Sequence, residues 1–321
     1  MKKKVLFTSK LPGDDFKNLL QNEKYEVTIL ADRERDTLCR TVKSFDPDAI
    51  VSLLSDKIDK ELIDIAPSLK VVSNYAVGYN NIDVPYCSEK GIIVTNTPGV
   101  LTDATADIAF MLILMVSRRA GESERFTRNG YFKEWMPELL VGKSLQNKTL
   151  GIVGLGRIGY ATAKRAEAFG MNIIYHNRKR VGAEKESMIN ARFVSLNDLL
   201  TESDVISLHI PYMPEVHHLI GEKELKMMKK STILVNTARG PLVHEKALAE
   251  ALSQKTIYGA GLDVYEFEPE IEEGLKSLEN IVLLPHIGSA TEETRYQMAK
   301  MVINDLMLVL GEKEPVNFVN R

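Results

Sequence analysis

Cysteine is nearly absent: the chain's 321 residues hold two, Cys39 and Cys87. They lie far apart and form no C-x-x-C pair, which excludes a disulfide framework and a zinc-ribbon spacing. A reduced, cytoplasmic setting is the expectation. Long apolar runs are also missing. The longest, "IAFMLILMV" at 108–116, is about half of what a bilayer span needs, so it is expected as a buried helix. The opening "MKKKVLFTSK" has cations but too short an apolar run for a good signal peptide. Charge of one sign is not in excess: 41 basic residues face 44 acidic ones, a net −3. No basic surplus points to nucleic acid and no polybasic arm to a membrane. There is no H-E-x-x-H, no carboxylate cluster at metal-ligand spacing, no internal repeat and no low-complexity segment.

What is present is an ordinary globular composition, 44% hydrophobic and 26% charged, at a length that suggests roughly two domains. Short apolar runs recur between helical patterns: "KVLFT", "EVTIL", "AIVSLL", "KVVSNY" and "IIVTN". A second series follows: "TLGIVG", "NIIYH", "DVISLH", "TILVNT", "GAGLDV" and "IVLLPH". Strands alternating with helices predict an α/β protein with parallel sheets. The helix between the two series, 103–119, can be capped by Thr102 or Asp103 and is apolar on nearly every face, so another layer or subunit must cover it. Segment 121–148, with the single tryptophan Trp135, reads as a loop or short helix. Near the end, "SATEETRYQMAKMVINDLMLVLGEK" predicts one long helix. Ser289 and Glu292 are its expected capping box, and Met298, Met301, Val302, Leu306 and Val309 its apolar stripe.

"TLGIVGLGRIGYATAKRAEAFG" is a strand, a tight turn and a helix. Gly154, Gly156 and Gly159 fill the G-x-G-x-x-G frame around Leu155, Arg157 and Ile158. The first allows the turn, the second admits a pyrophosphate to the backbone, and the third lets helix and strand pack closely. The helix N-terminus supplies N–H groups for the phosphates. At the end of the next strand, where an acid usually grips the adenosine ribose, stand Asn177, Arg178, Lys179 and Arg180. Asn177 removes the acid's repulsion of a 2′-phosphate. Arg178 is then free to pair with it, helped by Lys179 or Arg180. Charge-assisted bonds contribute about 1.5–3 kcal/mol each, so two amount to roughly a hundredfold preference for NADP(H), with NAD(H) as the second candidate.

Ligands of open α/β sheets sit beyond the carboxyl ends of the strands. Three strands of the second series end there in polar residues: Arg239 after "TILVNT", Asp263 with several glutamates behind it, and His286 after "IVLLP". Such a set suits hydride transfer to a 2-oxo acid. Arginine holds a carboxylate bidentately. Histidine gives or takes the alcohol proton. A glutamate beside the histidine favours its charged form. Among the other histidines, His176 is expected on the adenosine side and His209 near the cofactor. His217, His218 and His244 are expected as ordinary surface residues.

These motifs, with "YAVGYNNID", "TNTPGVLTDATAD", "SLHIPYMPEVHHLI", "NTARGPLV", "GLDVYEFEPE" and "LLPHIGSAT", resemble those of the D-isomer-specific 2-hydroxyacid dehydrogenases, in order and over essentially the whole chain. Within that family the likeness is greatest to glyoxylate/hydroxypyruvate reductases, with 2-ketogluconate reductases close by. The resemblance implies a doubly wound Rossmann coenzyme domain, 99–287, inserted into a flavodoxin-like substrate domain, 1–98 and 288–321. It implies a homodimer formed through the coenzyme domains. It gives Arg239 the substrate carboxylate, His286 the proton, and Glu268, directly before Pro269, the pairing with His286; the residues alone leave the choice among the glutamates open. Val77 and Gly78 would contact the substrate carboxylate through backbone N–H groups, and Leu53 would wall the pocket. Thr105, Thr237, Ala238, Asp263 and Gly288 match nicotinamide-side positions. Trp135 would reach the partner subunit's site. The rivals are 3-phosphoglycerate dehydrogenase and, outside enzymes, a dinucleotide-sensing co-repressor. Formate dehydrogenases pair the histidine with glutamine, and Glu268 departs from that.

Overall fold

The computed structural model describes residues 2–320. The chain divides into two units, 2–101 with 289–320, and 102–288. The first holds β1 (Lys3–Phe7), β2 (Tyr25–Ile29), β3 (Ala49–Ser52), β4 (Val71–Asn74) and β5 (Ile93–Thr95). They form one parallel sheet in the order β2-β1-β3-β4-β5, the flavodoxin-like arrangement. Every residue of β3 and β4 is buried. Parallel strands covered on both faces require such continuous apolar runs rather than alternation. The Glu292–Leu310 helix returns to this unit and packs on β3, β4 and β5 through Met298, Val302 and Leu306. Its cap differs from the expected Ser289–Glu292 box. Thr291 is the N-cap, its hydroxyl accepting the Thr294 N–H at 3.2 Å. Ser289 lies in the preceding turn, where its carbonyl accepts the Thr291 N–H at 3.0 Å and the Arg295 Nε–H at 3.2 Å.

The second unit holds β6 (Thr149–Val153), β7 (Asn172–His176), β8 (Arg192–Phe193), β9 (Val205–Leu208), β10 (Ile233–Asn236), β11 (Gly259–Leu262) and β12 (Ile281–Leu283). The order is β12-β11-β10-β9-β6-β7-β8, all parallel. This is the Rossmann order extended by one strand, and its switch point lies between β6 and β9. The two-residue edge strand β8 has no counterpart among the apolar runs of the sequence. The Thr102–Ser117 helix is covered within its own unit by β10, β11, β12 and the Arg157–Ala168 helix. Leu112 and Ile113 are fully buried there. After the Ala120–Arg128 helix the chain is irregular as far as β6 and exposes Tyr131, Phe132, Trp135, Met136 and Val141. Among the described residues no helix is long and apolar enough to cross a membrane.

Candidate active site

The phosphate turn follows β6. Gly154 has φ 99°, a left-handed conformation that a side chain would strain. A Cβ on Gly159 would lie 2.2 Å from the Gly154 carbonyl oxygen, so helix and turn pack backbone to backbone. Gly156 faces open space, and a Cβ there would meet nothing within 4 Å. The N–H groups of the first turn of the Arg157–Ala168 helix have no intrahelical acceptor. The cradle therefore fits a pyrophosphate, with Arg157 and Ile158 supplying the helix start.

Asn177 follows β7, and its Oδ1 accepts the Leu155 N–H at 2.7 Å, fixing the strand end to the glycine turn. Arg178 and Lys179 are exposed and form no hydrogen bond or ion pair with the described residues. Arg180 differs from the expectation that it could assist them. Its Nε–H and Nη2–H donate to the two oxygens of Glu186, each at 2.7 Å. Glu186 also accepts the Tyr175 hydroxyl at 2.5 Å, and that hydroxyl accepts the Val181 N–H at 3.1 Å. The Arg180 and Tyr175 bonds hold Glu186 at about 2, well below the ordinary carboxylate value. A cation held by two bonds to a buried carboxylate has less charge left for a phosphate than Arg178 or Lys179.

Beyond the carboxyl ends of β10, β11 and β12 the polar residues gather. Asn236, fully buried, accepts the Ala238 N–H at 3.0 Å and donates Nδ2–H to the Arg239 carbonyl at 2.8 Å. That bracket sets the turn from which Arg239 projects. Arg239 donates to the Ala238 carbonyl at 2.6 Å and makes no salt bridge with a described residue, so most of its donors are uncommitted. Burial pulls its pKa down, while the Glu268 charge opposes this. Thr237 is buried, and its hydroxyl has no hydrogen-bond partner. An orphaned polar atom beside the turn is what a bound ligand group would satisfy.

His286 Nδ1 lies 2.8 Å from Glu268 Oε2. The other Glu268 oxygen accepts the Tyr265 N–H at 3.0 Å. Burial alone pushes the Glu268 carboxyl up. The His286 hydrogen bond and charge, the Tyr265 N–H and the Arg239 charge outweigh it, and the net displacement is downward. Glu268 is therefore ionised through the neutral range. His286 itself has φ 55°, uncommon outside glycine. The buried Asp263 holds this bend by accepting the Ile287 N–H at 2.7 Å. A Cβ on Gly288 would lie 3.2 Å from Asp263 Oδ2 and 3.3 Å from Thr105 Cγ2, so Thr105, Asp263 and Gly288 meet as neighbours.

In the first unit, Leu53 follows β3 and donates its N–H to Asp56 at 2.7 Å. The carbonyls of Val77 and Gly78 accept from Asn96 at 2.7 Å and Asn74 at 2.8 Å. Neither the Val77 nor the Gly78 N–H donates to a described residue. His176 packs on Phe193 with its Nδ1 3.0 Å from the Val194 carbonyl. His209 sits 2.9 Å from Ser207 Oγ, and burial pushes it down to about 3, so it stays neutral. Trp135 is 78% exposed.

His217 is exposed and His218 and His244 are half-buried, so they lie at the surface as expected, but they are not isolated there. Their rings stack in a row, with centroids 3.8 Å and 4.5 Å apart. His218 Nε2 lies 2.6 Å from Glu266 Oε1. A single nitrogen from His217 and from His218 and an oxygen of Glu266 all lie within 4.8 Å of one another. The row forms because the Ile220–Val243 bridge brings together two segments distant in sequence, a pairing with no local signature.

The description "D-isomer specific 2-hydroxyacid dehydrogenase, NAD binding domain" belongs to the family model that matches residues 110–288. A glyoxylate reductase of Thermococcus litoralis is 49% identical over 100% of this chain and 98% of its own length. The chain belongs to the D-isomer-specific 2-hydroxyacid dehydrogenases. A solved NADPH-dependent glyoxylate/hydroxypyruvate reductase of Sinorhizobium meliloti, in complex with NADP and malonate, matches this dehydrogenase with a TM-score of 0.89 at 32% identity, over 99% of this chain and 97% of that one. A glyoxylate reductase from Paecilomyes thermophila matches with a TM-score of 0.88 at 36% identity, over 99% and 98%. The dehydrogenase is thus an NAD(P)-dependent oxidoreductase of the 2-hydroxyacid class.

Proposed function

We propose that this dehydrogenase reduces small 2-oxo acids of the glyoxylate and hydroxypyruvate type to D-2-hydroxy acids and prefers NADPH. The observation that carries the reading is the His286–Glu268 pair at 2.8 Å beside an arginine with uncommitted donors. When bound, the nicotinamide cofactor supplies the hydride that arrives at C2. Arg239 holds the substrate carboxylate and polarises the adjacent carbonyl. The Val77 and Gly78 N–H groups are further candidates for that carboxylate, and Leu53 for the pocket wall. Glu268 accepts the Nδ1–H of His286, which leaves Nε2–H to protonate the new alcohol oxygen. In the reverse direction neutral His286 takes that proton back.

The glycine turn, the Arg157–Ala168 helix start, Thr105, Thr237, Ala238, Asp263 and Gly288 serve the cofactor. Arg178 and Lys179, unpaired among the described residues, would receive a 2′-phosphate, and Asn177 offers no opposing charge. The unit 2–101 with 289–320 serves as the substrate domain and 102–288 as the coenzyme domain, boundaries one to three residues from those expected. The exposed apolar stretch from Tyr131 to Val141 supports a homodimer through the coenzyme domains, with Trp135 reaching toward the partner. The test is loss of nicotinamide absorbance with glyoxylate, hydroxypyruvate, pyruvate and 2-ketogluconate, each with NADPH and with NADH. The reading requires the highest kcat/KM with NADPH and one of the first two acids. Equal use of NADH, or turnover confined to 2-ketogluconate, refutes the corresponding half.

A further inference from the structure

Glu245 is a buried carboxylate that the proposed chemistry does not use. It opens the Glu245–Ser253 helix and is 3% exposed. Its Oε1 accepts the Glu266 N–H at 2.7 Å and its Oε2 the Glu272 N–H at 3.2 Å. One carboxylate thus pins both ends of the loop from 266 to 272, and Glu268 lies inside that loop. The loop is held at other points too. Glu266 Oε1 meets His218 of the stacked row. Tyr265 donates its hydroxyl to the Leu284 carbonyl at 2.7 Å. Gly240 presses on the Tyr265–Glu266 peptide so closely that a Cβ there would lie 1.8 Å from the Tyr265 carbonyl.

Burying a carboxylate is costly unless its oxygens are satisfied. Burial, with the Glu266 and Glu272 charges, pushes Glu245 up, and the two N–H bonds oppose this. A fold that needed only packing here would be served by an apolar side chain. What the carboxylate adds is two directed bonds to the two ends of a loop whose middle carries the partner of His286.

We infer that Glu245 is a positioning residue that holds Glu268 at hydrogen-bond distance from His286. The inference rests on the reading of that pair as the proton source. The titratable and charged groups involved are Glu268, Asp263 and Arg239 around His286, and Glu266 and Glu272 around Glu245, with His218 on Glu266.

The experiment is a double-variant cycle on the full-length protein with Glu245→Gln and Glu268→Gln. It reads reductive kcat, the pH profile of kcat/KM and NADPH Kd. Glutamine keeps the shape but offers one acceptor oxygen for two N–H groups. Expected for Glu245→Gln is a fall in kcat of about tenfold, within the hundredfold that a misplacement of roughly 1 Å can cost. NADPH Kd should stay within about twofold. The high-pH fall of kcat/KM should move to lower pH, to a position between wild type and Glu268→Gln. The double variant should be no worse than Glu268→Gln alone, because a residue acting only through Glu268 has nothing left to position. Losses that multiply in the double variant, or a pH profile unmoved by Glu245→Gln, overturn the inference. If Glu268→Gln itself moves neither kcat nor the profile, the reading of the pair falls and the inference with it. Should Glu245→Gln fail to fold, Glu245→Asp, charged but one methylene shorter, takes its place in the same cycle.

Discussion

Replacing Glu268 with glutamine removes a charge from the His286 pair and leaves its shape. The two groups are 2.8 Å apart, and each side chain is 27% exposed. At that separation unit charges interact by about 1.5 kcal/mol even at the dielectric of bulk water, and by more where solvent is partly excluded. Removing the charge should therefore move the variant's pH profile as well as lower its rate. The sign follows from which form is needed. Reduction needs imidazolium, which the carboxylate favours, so reductive kcat/KM is high at low pH and falls as pH rises. Without the carboxylate that fall comes at lower pH. Oxidation needs the neutral ring, so its rise moves in the same direction. Glu268 is held below the ordinary carboxylate value, so its own protonation does not intrude in the neutral range. The assay is kcat/KM against pH in both directions with wild type and Glu268→Gln, with a deuteride isotope effect to establish that chemistry limits the rate. Profiles that coincide while the isotope effect is expressed refute the proton route.

Arg178→Ala should raise the KM for NADPH about tenfold or more through one lost charge-assisted bond and leave NADH unchanged; an equal effect on both cofactors removes Arg178 from the phosphate site. Asn177→Asp combined with Arg178→Ala should turn the preference toward NADH, because aspartate can still accept the Leu155 N–H and also repels a phosphate. Arg239→Gln should cost about 1.5–3 kcal/mol, a roughly ten- to hundredfold fall in kcat/KM for every 2-oxo acid, with NADPH Kd measured by fluorescence unchanged. Gly159→Ala must move a backbone, because the new Cβ would sit 2.2 Å from the Gly154 oxygen; thermal melts should show a loss of about 1–3 kcal/mol, with weakened binding of either cofactor.

How far the sequence carries depends on whether the physics at a position is local. The central apolar runs became strands because a parallel sheet buried on both faces needs continuous apolar residues, and that demand is met within four residues of chain. The glycine turn was legible for the same reason: φ at Gly154 and the approach at Gly159 are constraints between near neighbours. Arg180 was not. Its fate is set by Glu186, which lies one turn into the next helix, is buried and also accepts the Tyr175 hydroxyl. From the sequence it was one cation in a run of three, and the fold pairs it with a carboxylate while leaving the other two unpaired among the described residues. The cap of the terminal helix was a smaller instance, since Ser289 and Thr291 both satisfy the residue preference and only the turn before the helix decides between them.

Glu245, like Arg180, takes its role from contacts that are not local in sequence. The three side chains assigned to the chemistry, Arg239, Glu268 and His286, each follow a strand, so their neighbourhood is implied by sheet order. Their geometry is set by others: Asn236 brackets the Arg239 turn, Asp263 holds the left-handed backbone of His286, and Glu245 spans the loop of Glu268. Each of these holds backbone groups rather than side chains. A backbone N–H is present whatever the residue, so such a bond leaves no mark on the sequence of the segment it holds. The supporting residues can therefore be found only after the loops they hold are seen. Substitutions there are expected to alter rate and pH dependence while leaving the residues assigned to the reaction in place.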